Sequence, residues 1–72
     1  MIVVSQNRDG FVNIDTINEI TVDDGKIIAR YGSNMSILGE YDSDTRAEQC
    51  VRDIVDRMRQ GKTVYELPKS KN

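Results

Sequence analysis

The chain has no histidine, no tryptophan, a single cysteine and a single proline among its 72 residues. Without histidine a Cys/His zinc site is excluded, as is any reaction needing imidazole as its base. One thiol cannot close an internal disulfide, and this length is near the lower limit for a core held by packing alone. Cys50 falls on an apolar helical stripe, where a thiol is a small buried hydrophobe rather than a nucleophile. No apolar run approaches the roughly 20 residues that cross a bilayer, and residues 1–4 are too few for a signal peptide. The expectation is a cytoplasmic chain with no membrane partner. Three tyrosines and one phenylalanine leave a mostly aliphatic core. So small a chain gains buried area by pairing with a second copy, so a homo-oligomer, a dimer first, is expected.

Charge is slightly acidic overall, at −2, and unevenly spread. Residues 1–44 carry three bases against eight acids, and residues 45–72 seven bases against four acids. Such asymmetry can mark a binding surface. The simpler account is an acidic sheet attracting a basic helix.

One long helical pattern dominates, over residues 45–60. Ala47, Cys50, Val51, Ile54, Val55 and Met58 recur at three- and four-residue spacing, which lines them along one side of a helix. Thr45 with Glu48 fits a capping box, and Asp44 is the competing N-cap. Gly61 suits the left-handed residue that closes a helix.

What precedes reads as strands. Ile2, Val3 and Val4, with Ser5 and Gln6, form the first. Asp9-Gly10 supplies turn chemistry before a second strand at residues 11–14. Residues 15–18 break the alternation and suggest a corner with Ile17 turned inward. Ile20-Thr21-Val22 opens a third strand, and Asp24-Gly25 is the strongest hairpin signal in the chain. A two-residue loop there sets Val22 opposite Ile27 and Ile20 opposite Ala29, with Tyr31 on the same inner face. Residues 26–31 make the fourth strand and 35–41 the fifth, with a bulge at Gly39. Residues 63–67 have strand composition and Pro68 ends them. The expected fold is α+β: a five-stranded antiparallel meander with one amphipathic helix packed on it and a short C-terminal strand. Residues 1–67 make one domain and 68–72 a disordered tail. Whether the last strand pairs within the chain or between chains is open.

Three stretches carry a likeness: the opening Ile-Val-Val-Ser-Gln-Asn, then Val12-Asn13-Ile14-Asp15 with Ile17 and Ile20, then Leu38-Gly39-Glu40-Tyr41. Together they resemble a group of short bacterial and prophage proteins over residues 1–58. These are turn and core residues. The resemblance implies a β-meander with one helix and implies no activity, cofactor or site.

Chemistry-bearing patterns are few. Asp23-Asp24-Gly25 and Arg8-Asp9-Gly10 lack the alternating acids and closing glutamate of a calcium loop, and read as turns. Asp42 and Asp44 flank Ser43 where capping explains them. No metal or cofactor is expected, and no nucleophile–base pair supports an enzyme. Two non-catalytic readings follow. The first is a protein–protein interaction module that docks by a sheet edge or through Tyr31, Tyr41 and Tyr65, since tyrosine suits interface anchors. The second is a weak nucleic-acid binder using Arg46, Arg52, Arg59 and Lys62 with Lys69 and Lys71 of the tail. Acids interrupt that strip at four-residue spacing (Glu48 before Arg52, Arg52 before Asp56, Asp53 before Arg57), which favours a solvated, salt-bridged face.

Overall fold

A computed structural model describes residues 1–69, so the tail from Ser70 onward, Lys71 included, lies outside the described residues. The elements are β1 (Ile2–Val4), β2 (Phe11–Asn13), a 3-10 turn (Ile14–Thr16), β3 (Glu19–Asp23), β4 (Lys26–Tyr31), β5 (Asn34–Glu40), α1 (Asp44–Arg59) and β6 (Val64–Glu66). The class is α+β with mostly antiparallel strands and one helix, but there is no single meander. The strands form two three-stranded sheets, ordered β2-β1-β6 and β3-β4-β5. The meander breaks at the 3-10 turn. There the Asn13 side chain accepts from the Asp15 N–H and caps the turn, so β2 and β3 do not pair. β1 pairs instead with β6, in parallel, with Val3 level with Tyr65. The last strand therefore pairs within the chain.

The Asp24-Gly25 hairpin has the expected register, Val22 with Ile27 and Ile20 with Ala29. Both turn residues have positive φ, 52° and 75°, as a type I′ turn requires. At the first loop the expectation of a tight Asp9-Gly10 turn is corrected. The positive φ belongs to Arg8, at 62°, and the loop spans the residues between Val4 and Phe11. Arg8 is held there by its own guanidinium, which donates to the carbonyls of Ser5, Gln6 and Leu67, the last at 2.7 Å. On β5 the bulge lies at Leu38, one residue before the expected Gly39. Ile28 pairs with Ile37 and Ile27 with Gly39, leaving Leu38 as the extra residue, buried in the core.

The helix starts one residue earlier than its apolar pattern suggests. Ser43, not Thr45 or Asp44, is the N-cap, its hydroxyl accepting from the Arg46 N–H at 3.1 Å. Asp44 is thereby released to accept from the Gly25 N–H at 2.6 Å, which ties the helix start to the β3–β4 turn. At the other end Gly61 (φ 77°) and Lys62 donate back to Met58 and Arg57, a Schellman closure. Helix α1 packs on β3 and β4, and its buried residues are Ala47, Cys50 and Ile54. These join Val3, Ile27, Ala29, Leu38, Tyr41, Tyr65 and Leu67 in one core that draws on both sheets.

The sheets are stitched together by Gln6, which leaves the line of β1 and meets β5. Its backbone N–H donates to the Leu38 carbonyl, its side-chain amide N–H to the Glu40 carbonyl, and its side-chain oxygen accepts from the Glu40 N–H. Gln6→Ala removes both side-chain bonds in a place where Gln6 is buried, and a loss of about 1–3 kcal/mol in urea unfolding is expected. Gly25→Ala combines a positive φ with a methyl group driven into the Tyr41 carbonyl, and should lose about 2 kcal/mol or more. Gly10→Ala, which meets nothing within 4 Å, is the near-neutral control in the same measurement.

Candidate docking surfaces

Tyrosine is amphipathic enough for a core rim or for an interface. Two of the three tyrosines singled out by the sequence lie in the core. Tyr41 is 8% exposed and Tyr65 6%. Their hydroxyls are used inside the fold: Tyr41 donates to the Pro68 carbonyl at 2.6 Å, and Tyr65 reaches the Asp53 carboxylate at 3.5 Å. Tyr41 thus anchors the chain just beyond β6. Tyr31 alone is half-exposed, its hydroxyl 2.6 Å from that of Ser36.

The basic residues divide in the same way. On a helix turning about 100° per residue, Arg52 and Arg59 lie within about 20° of each other and Arg46 some 120° away. Arg46 stacks over the Tyr41 ring, 5.5 Å from its centroid, and Arg57 over Tyr65 at 5.3 Å. Arg59 sits 3.7 Å from Asp56. Lys62 is exposed beyond the helix closure. The four residues of the nucleic-acid reading do not form a single strip.

The apolar surface lies elsewhere. Cross-strand partners share a face, so Val3, Val12 and Tyr65 point into the core while Ile2, Val4, Phe11 and Val64 share the outer face of β2-β1-β6. Phe11 is 68% exposed and Val64 52%, at opposite corners of a patch whose other corners are Asn13 and Glu66. Sequence reasoning missed this face, although three consecutive apolar residues in β1 must place side chains on both faces of the strand. A second apolar surface runs between β3 and α1, where Ile20 and Val22 meet Val51, and it continues past Ile17 to Val55 and Met58.

Reactive chemistry is muted. Cys50 is fully buried, and burial pushes its thiol above the ordinary range despite the Arg46 guanidinium 3.7 Å away. Among the described residues no group of three Cys, Asp or Glu side chains converges to hold a metal, and no helix is long and apolar enough to cross a membrane. The class defined is a small α+β domain whose distinguishing surfaces are apolar. No protein-family model, curated protein or solved structure matches the chain.

Burial is the main reason that the phenols resist ionisation: Tyr65 is pushed up from 10.0 to about 12, helped by Asp53, and Tyr41 is pushed higher still. Both rings are held as the neutral phenol in the fold, whereas an unfolded chain releases those protons near pH 10. Above that pH the unfolded state binds fewer protons, so stability should fall as pH rises from about 10 towards 12. Phenolate absorbance followed alongside unfolding, in the parent and in Tyr41→Phe and Tyr65→Phe, checks this. Each variant should remove one late-titrating component.

Proposed function

We propose that the chain is a non-catalytic protein-interaction module of the cytoplasm, of bacterial or phage-like origin, which self-associates and docks onto another protein. The observation that carries this reading is the outer face of β2-β1-β6. Ile2, Val4, Phe11 and Val64 form a contiguous apolar patch on a hydrogen-bonded sheet, rimmed by Asn13 and Glu66. Contiguous apolar surface with a polar rim is what a protein interface offers before its partner arrives. Strand placement also suits the role, because a sheet holds side chains at set spacing with little entropy left to lose.

A phosphate-binding role for Arg46, Arg52, Arg59 and Lys62 has weaker support. Two of the helix arginines, Arg46 and Arg57, stack on tyrosine rings, and Arg59 is near Asp56. No exposed aromatic ring lies among those bases to serve as a stacking platform, since Tyr41 and Tyr65 are buried.

The two readings part in one experiment: affinity capture from a bacterial lysate with the parent chain and with a Phe11→Glu/Val64→Lys variant, each with and without nuclease. Both positions are exposed, so the variant should keep its stability to within about 1 kcal/mol. The module reading expects a defined protein partner retained after nuclease and lost from the variant. Recovery that vanishes with nuclease and falls steeply with salt would transfer the function to the basic residues.

A further inference from the structure

β3 is an edge strand, and no strand among the described residues pairs with its outer side. In a two-residue hairpin the pair flanking the turn is hydrogen-bonded, and bonded and non-bonded pairs then alternate. Asp23–Lys26, Thr21–Ile28 and Glu19–Arg30 are therefore the bonded pairs of the β3–β4 ladder. The backbone N–H and C=O groups of Ile20 and Val22 point the opposite way, out of the sheet. A cleft runs beside them, lined by Ile20, Thr21 and Val22 on one side and by Glu48, Val51 and Arg52 of α1 on the other. Successive strand side chains alternate in face, so a cleft touched by three in a row follows the strand's open edge.

We propose that this edge and cleft form the interface with a second copy of the chain, β3 pairing antiparallel with β3 of the copy about a two-fold axis through Thr21. The proposal rests on the reading of the chain as an interaction module and names the surface and partner of its self-association. That register sets Ile20 opposite Val22 of the copy on both sides of the axis, so the outward backbone groups satisfy each other. The two sheets become one continuous sheet with both helices on the same face.

Helix placement argues for this occupant. Because α1 packs on both β3 and β4, we place its axis between them, about half a strand spacing inside β3. The two-fold lies half a spacing outside it. With strands about 4.8 Å apart, the two helices come to lie about 10 Å from each other, which is helix-packing distance. The chain's own geometry thus brings α1 against its copy as soon as the strands pair.

Charge points the same way. Glu48, Val51 and Arg52 stand abreast of Thr21, so the same axis passes between the helices there. A two-fold relates antiparallel helices, and it sets each Glu48 opposite Arg52 of the copy, with Val51 between them. The patch is self-complementary, as an isologous interface must be. The opposing feature is Glu19 facing Asp23 of the copy at each end. Glu19 already lies 3.6 Å from Arg30, which lowers that repulsion.

Sedimentation of the full chain over a concentration series should give twice the 8.2 kDa chain mass. Glu48→Arg and Arg52→Glu, both on the exposed helix face, should each weaken the dimer at least ten-fold while the circular dichroism stays that of the parent. Mixed in equal amounts, the two variants should dimerise again. One variant then carries a cation at both positions and the other a carboxylate at both, so every facing pair is of opposite charge. Asp23→Lys, which places a cation opposite Glu19 of the copy, should tighten the dimer several-fold. A parent that stays monomeric, single variants that dimerise like the parent, or a mixture that does not recover would each overturn the proposal. An unchanged affinity for Asp23→Lys would overturn the register through Thr21. Lysate capture by the Glu48→Arg monomer, lost when Phe11→Glu/Val64→Lys is added, would show that the docking reading survives independently of this interface.

Discussion

The carboxamide of Gln6 takes the place of a backbone segment that the two sheets lack. A side-chain amide has the donor and acceptor of a peptide group, and Gln6 presents both to Glu40, donating to its carbonyl at 3.0 Å and accepting from its N–H at 2.9 Å. The edge of β5 is thereby closed where β1 runs out, and the two small sheets act as one curved surface around a shared core. Three-residue strands such as β1, β2 and β6 have too few ladder bonds to persist alone. They depend on this junction and on Arg8, whose guanidinium links the first loop to the end of β6 through the Leu67 carbonyl.

A second junction works the same way at the other end of the molecule. Asp44 accepts from Gly25 because Ser43 has taken over the capping of α1. The helix is thus attached to the sheet it covers by a charged acceptor at its N-terminus, where the helix dipole also favours a carboxylate. Gly25 serves both this contact and the type I′ turn, so one residue without a side chain sets the hairpin register and the seat of the helix.

These junctions decide where the surface is available. With Tyr41 and Tyr65 turned inward and Gln6 covering the end of β5, the surfaces left include the apolar outer face of β2-β1-β6 and the open side of β3. The first is a patch of side chains and the second a row of backbone groups beside a helix. They present different chemistry and lie on different sheets, so a copy on one need not compete with a partner on the other. A module that pairs through an edge and docks through a face would display its docking patch twice, and avidity would raise the effective strength of a small contact.

Local features were legible in the sequence. Asp24-Gly25 dictated the hairpin and the pairing of Val22 with Ile27, because a turn type dictates register over the residues beside it. Three- and four-residue spacing marked α1 and its buried Ala47, Cys50 and Ile54, and Gly61 marked its end. Longer connections were not legible. The parallel pairing of β1 with β6 joins residues some sixty positions apart, and nothing in either segment specifies a partner beyond a tendency to be a strand. By pattern alone Gln6 is one more strand residue, and Asp44 one more cap. Tyrosine is at home in a core rim and at an interface alike, so only the neighbours brought by the fold, Pro68 for Tyr41 and Asp53 for Tyr65, decided that both would be internal. Sequence determines what each short segment prefers through steric and hydrogen-bonding rules that act over a few residues. Only the tertiary structure decides which segments meet, because that choice is made by burial shared among residues far apart in the chain.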